Sequence, residues 1–372
     1  MACVEALPAA GGVCDARDLP SGGTIPSITI DRSGVTILGP CGQFNLTGTL
    51  NIYNPAGLAA IKWEGCGATA SGTGTVLTWR GNATDPAIRI RGVRDSIFSD
   101  FGVNSSSNFP LATTIQLETA TGTTSTHRTF RNIVINGTNA GGLQKGFRWC
   151  TGDDCGGAGP DGNNDMDRIE GVQVISYSNC AYSIEGTQSK AHLFTQSFFA
   201  GNGVGQRGVC TTQAANSARN SGSFHWEHGA GGGNTVADFD IGNPNDTITI
   251  RDFNLEGSAR LLQTGPANSS PMPITISGGR WDARKIGADN IVILYQWRGP
   301  LTLIGNNFGG APMGATPSVN LTSSGPSFGA AIGNSISWNP VSSNSQPFIG
   351  TGTWDKHSNV ITDNAGNTFP VP

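Results

Sequence analysis

The chain has 372 residues, 37% hydrophobic and 13% charged, with a net charge of −4 and 54 glycines. So few charges exclude a disordered polyelectrolyte, and the lack of any basic block excludes the electrostatic footprint of a duplex-DNA binder. No apolar run reaches the roughly 18 residues of a membrane span. Glycine with abundant Thr, Ser and Asn favours turns and short strands over helices.

No signal peptide is evident at the amino end. Met1 and Ala2 run straight into Cys3, the arrangement expected of a start placed after a removed leader. The eight cysteines, at 3, 14, 41, 66, 150, 155, 180 and 210, form an even set without a CxxC pair. Disulfides in an oxidising, extracellular compartment are therefore expected, and a zinc ribbon is not. Pairing between successive cysteines is the expectation: Cys3–Cys14, Cys41–Cys66, Cys150–Cys155 and Cys180–Cys210.

From residue 87 onward two families of short alternating strands recur in a fixed order. One includes Ala87–Arg91, Thr114–Glu118, Gly146–Cys150, Tyr182–Glu185, Gly208–Thr211, Asp238–Ile241 and Arg260–Gln263. The other includes Ser96–Phe98, Phe130–Ile135, Ile169–Val174, His192–Phe194, Phe224–Trp226 and Thr247–Ile250. A strand with period-two alternation buries one face only, so a single coil makes no core; stacked coils do. The pattern predicts an all-β, single-domain solenoid, with a β-sandwich as the competing architecture. Residues 1–26 are expected to cap it, 27–310 to form the main coils, and 311–372 the last coils and a covering tail.

Ser33-Gly-Val-Thr-Ile-Leu-Gly39 and the repeated Ile/Val-x-Ile/Val coils with Asn/Gly corners from about 86 to 335 carry a resemblance. They are similar to the right-handed parallel β-helix proteins of the pectate-lyase-like superfamily. That resemblance implies a solenoid groove and a polysaccharide partner. It transfers no catalytic residue, because no catalytic motif matches.

Outward residues of stacked strands form a surface stripe. Its charges concentrate between 145 and 260, and an extended glycan is the partner such a groove suits; nucleic acid and membrane are not. Two chemistries fit. Paired carboxylates drawn from Glu185, Glu227, Asp238, Asp240 and Glu256 would hydrolyse a glycosidic bond. Lys190 or His192 as base, with Arg148, His225 or Arg251 on the substrate carboxylate, would serve β-elimination from a uronate. Trp226 is expected in the core or as a sugar-stacking platform, and His225 with Glu227 share a face that admits a metal. Asp161, Asn163, Asp165 and Asp167 place oxygen donors at alternate positions, a pattern suited to Ca²⁺ though not an EF-hand. The reading from another class is a noncatalytic carbohydrate-binding, adhesin or filament-forming β-helix. Ice binding would need a more regular Thr-x-Thr ladder than these coils offer.

Overall fold

The computed structural model describes residues 2–69, 74–120, 122–138, 141–152, 155, 163–186, 189–201, 206–211, 222–242, 246–264, 272–283, 290–295, 299–310, 319–322, 327–337, 348–350, 352–363 and 365–370. Each coil runs through two strand segments that meet at a bend and a third on the opposite side. The first two belong to a 25-stranded sheet and the third to a 12-stranded sheet. Successive coils pair in parallel, as at Ser96–Ser105 on Arg128–Gly137 and Leu111–Glu118 on Leu143–Cys150. The chain is a parallel β-helix. The last pairing is the exception: Thr368–Pro370 runs antiparallel to Val360–Thr362.

Pairing begins at Gly12, which stacks on Val35, so coil structure starts inside the stretch 1–26 expected as a cap. A short helix, Ala2–Glu5, precedes it. The structure joins Cys3 to Cys14, Cys41 to Cys66, Cys150 to Cys155 and Cys180 to Cys210.

The bend between the first two segments is set by a column of left-handed residues. Asp100, Asn132, Gly171, Gln196, His228, Asp252, Gly278 and Gly305 all have positive φ there. Asp and Asn tolerate this region and Gly adopts it freely, so the corner recurs without a fixed sequence. Just inside it, a later column is Asn306, Asn334 and Asn359. Each is buried and donates its amide to a backbone carbonyl of the preceding coil, at Ile276, Leu303 and Ala331. Asn334 also accepts from Asn306, and Asn359 from Asn334, at 3.0 and 2.9 Å. These bonds satisfy corner groups that the strands leave unpaired.

The core is a set of stacked like residues. Trp63, Phe98, Phe130, Ile169, Phe194, Trp226 and Ile250 follow one another in register down the interior. Phe98 and Phe130 stack at 5.2 Å between ring centroids, and Phe194 and Trp226 at 5.5 Å.

Two outcomes follow from this architecture. Truncating the middle of the amide column, Asn334→Ala, leaves buried carbonyl and amide groups unmatched and lowers the unfolding free energy by about 2–3 kcal/mol in denaturant titration. Mass spectrometry of the denatured chain gives no alkylated cysteine before reduction and eight after it.

Candidate functional site

The third segments do not alternate simply. Each turns two successive residues inward: Ala87 and Ile88, Thr114 and Ile115, Ala181 and Tyr182, Asp238 and Phe239, and Leu261 and Leu262 are all buried. Arg89, Gln116, Arg148, Ser183, Cys210, Asp240 and Gln263 then share one register line on the opposite, outer face. Asp238 and Asp240 therefore face opposite ways, whereas period two would put them together.

Asp238 is an interior group, not a groove acid. It accepts from Ser258 at 2.5 Å, Asn234 at 2.9 Å and the Trp281 indole at 2.9 Å. Burial pushes its carboxyl up to about 7, against the pull of those three donors. His192 is likewise interior. The register stacks Ser96 on Arg128 and His192 on Phe224, and Asp167 lies between Arg128 and His192. Arg128, Asp167 and His192 are all fully buried. Burial lowers the imidazole to about 4, with Asp167 opposing and Arg128 reinforcing that shift. Trp226 is also fully buried, packed on Phe194 and Phe199, so no sugar can reach its ring.

The acidic stretch is committed to the core as well. Asp161 lies outside the described residues. Asn163 uses its carbonyl to accept from the Ser125 backbone. Asp167 accepts from the Arg128 guanidinium at 2.6 Å and the Trp149 indole at 2.7 Å, so a built-in cation already neutralises it. Asp165 is buried, and burial raises its carboxyl, with Asp167 adding to the rise and Lys190 opposing it. Of the four expected calcium ligands, Asp167 is thus engaged by a guanidinium and an indole. Among the described residues, no group of three His, Cys, Asp or Glu side chains is arranged to hold a metal.

Of the remaining expected residues Asp240 is buried, and the others are half-buried or exposed. Glu185 is held by Lys145 and, at 2.9 Å, by Arg148. Burial pushes its carboxyl up, but the two cations and Ser183 draw it below its ordinary value. Asp240 pairs with Arg207, yet burial outweighs that pairing and raises its carboxyl. Glu227 pairs with Arg251 at 2.7 Å. His228 leaves the face of Trp226 because its φ of 53° turns the chain; it is exposed, 3.6 Å from Asp252. Lys190 is half-buried beside the Asp165 segment, its carbonyl accepting from Met166.

Among the expected acids, Glu256 lines an open groove. This depression of about 630 Å³ lies over the second segments, with Ala200, Gly231, Gly232 and Gly233 as floor and Asn254, Glu256 and Asp282 as rim. The register stacks Gly232, Glu256 and Asp282 on consecutive coils. Gly232, at φ 137°, admits no side chain, since a Cβ there would lie 1.7 Å from the Glu256 carbonyl oxygen. Asp282 is anchored by Arg280 at 2.5 Å. Sequence reasoning missed Asp282 because it lies beyond the charge-dense stretch that drew attention; its signal was position, one coil after Glu256. A smaller groove of about 270 Å³ lies near Gly57, Gly92, Arg94 and Thr123 on the early coils.

No family model matches the chain, and no curated protein matches it. Among solved structures the chain is similar to the Streptococcus pneumoniae surface protein and adhesin PfbA, with a TM-score of 0.49 and 10% sequence identity, over 98% of this chain and 91% of that one.

The two buried titrating groups make opposite pH predictions. Asp238 is raised from 3.8 to about 7 in the fold, so the stability it contributes is complete below pH 3.8 and is lost as pH rises through 7. His192 is depressed from 6.5 to about 4, so its contribution is complete above pH 6.5 and is lost as pH falls through 4. In calorimetric melts from about pH 5 to about pH 8, Asp238→Asn gains on the parent chain steadily, because only the parent must bury a charge at the upper end.

Proposed function

We propose that the protein is an extracellular, glycan-binding β-helix that docks an extended neutral saccharide across the groove floored by Gly231–Gly233. The supporting observation is the groove itself, an open depression lined by Gly231–Gly233 together with Asn254, Glu256 and Asp282, whose side chains offer hydrogen-bonding groups. The four cysteine bridges favour an oxidising location. No helix among the described residues is long and apolar enough to cross a membrane. The likeness of Ser33–Gly39 to pectate-lyase-like coils agrees with a polysaccharide ligand and supplies no catalytic motif.

Binding is favoured over catalysis because the acid–base groups expected to react are occupied. His192 and Asp238 lie in the interior, and Glu185, Glu227 and Asp240 sit in ion pairs. One observation favours a second reading, retaining glycoside hydrolysis. Glu256 and Asp282 are register partners, which sets their backbones about 4.8 Å apart, near the ~5–5.5 Å between carboxyls that a retaining mechanism uses.

A glycan array followed by calorimetry tests both. The binding reading expects saturable capture of a neutral oligosaccharide, no new reducing ends, and at least about tenfold weaker binding in Glu256→Gln/Asp282→Asn. No captured neutral glycan would overturn it. Reducing ends released by the parent chain and abolished in either single variant would replace it with the hydrolase.

A further inference from the structure

The buried Asp238 carboxyl reaches the groove from within. It lies on the strand Ala237–Ile241 of the 12-stranded sheet, and its three hydrogen-bond donors come from the larger sheet and the corner beside it. Each donor is the chain neighbour of a residue that lines the groove: Asn234 follows Gly233, Ser258 follows Gly257, and Trp281 precedes Asp282. Those positions lie on consecutive coils, since Gly231 pairs with Leu255 and Leu255 with Trp281. One carboxyl thus ties three coils of the groove together from beneath.

The tie is wholly interior. Asn234, Asp238, Ser258 and Trp281 are all buried. The Asn234 backbone N–H also donates to the Ser258 hydroxyl at 3.0 Å, while the Tyr177 hydroxyl donates to the Asn234 side-chain oxygen. Tyr177 pairs with Gly201, which lines the groove on the preceding coil. Gly233 and Gly257, with φ of 70° and 74°, give the corner above the carboxyl little stiffness of its own. Among the described residues, Tyr177 is the titratable group set against Asp238, and burial holds its hydroxyl well above the ordinary range. Glu256 and Asp282 leave their strands on the groove side, opposite Leu255 and Trp281. Arg207, Asp240 and Arg260 stand together on the outer face of the smaller sheet.

We propose that Asp238 is the positioning residue of the groove, and that the groove is closed and binding-competent while this carboxyl carries its proton. The inference rests on the reading of the groove as the binding site. Protonated, the carboxyl is a neutral hub within an apolar interior. Ionised, it is a buried anion whose relief is water, and water reaches it by parting the coils at Gly233 and Gly257. The sign follows from burial. In the closed groove the group keeps its proton up to about pH 7, against 3.8 when exposed, so closure is favoured below 7 and weakens as pH rises through it. A ligand that binds only the closed groove is held about tenfold more weakly at about pH 8 than at about pH 6.

Hydrogen exchange of the full chain, corrected for the intrinsic pH dependence of exchange, reads the groove without any ligand. The amides of Gly231–Gly233 and Glu256–Ser258 are expected to exchange about tenfold faster at about pH 8 than at about pH 6, while those of the earlier strand Arg128–Gly137 stay level. Asp238→Asn, which cannot ionise, removes the rise. Ser258→Ala takes one donor from the anion and moves the rise about one pH unit higher. The control His228→Asn, an exposed histidine just before groove-lining Ala230, leaves it in place. Calorimetry with the neutral oligosaccharide captured by the array forms the second arm. Its affinity should fall about tenfold between those pH values in the parent chain and stay constant in Asp238→Asn. The proposal is overturned if the groove amides of the parent show no rise, if the rise survives in Asp238→Asn, or if it spreads equally to Arg128–Gly137. Should Asp238→Asn not fold, an unmoved rise in Ser258→Ala overturns it. A glycan held equally at both pH values overturns the linkage and leaves the groove reading intact. An array without any neutral glycan ends the groove reading, and exchange alone then decides whether Asp238 shapes the depression.

Discussion

Everything in this molecule depends on strict register between successive coils. Parallel pairing at one residue per step places each side chain directly over its counterpart in the previous turn. The interior thus becomes a series of columns, and a column survives only if its members tolerate one another. The aromatic column through Phe98, Phe130, Phe194 and Trp226 satisfies this by stacking. The Arg128–Asp167 pair satisfies it by charge complementarity in a place where an unpaired ion would be very costly, and the imidazole of His192 beside it, lowered to about 4, stays neutral at neutral pH.

The same constraint explains which parts of the structure were legible from the amino acids. Repetition of short apolar strands announced the solenoid, because that pattern is the direct consequence of stacking. The side-chain directions were only half legible. A simple alternation gives the right face to Arg148 and Asp240, but the paired inward residues of each third segment reverse it at Asp238. Left-handed corners do likewise, turning His228 out to solvent next to a buried Trp226. Neither device leaves a local mark, since the corner residue is Asp, Asn, Gln, His or Gly in different coils.

Titratable residues were the hardest to place for a related reason. A scarce charge in a weakly charged chain invites a functional reading, yet His192, Asp167 and Asp238 are scarce because they are interior. There Asp167 and Asp238 each need their own set of partners. The groove was marked instead by glycines, at Gly231 and Gly232 because a Cβ would strike the backbone of a neighbouring coil.

The reversed final strand, Thr368–Pro370, has a consequence for assembly. A stack of like-oriented strands is a template that another copy could extend indefinitely, each newcomer adopting the alignment of the last. Turning the terminal segment about breaks that inheritance on the part of the end it covers. Its proline offers no amide hydrogen to an arriving strand. The antiparallel segment thus occupies the Val360–Thr362 edge, where a parallel strand would otherwise pair.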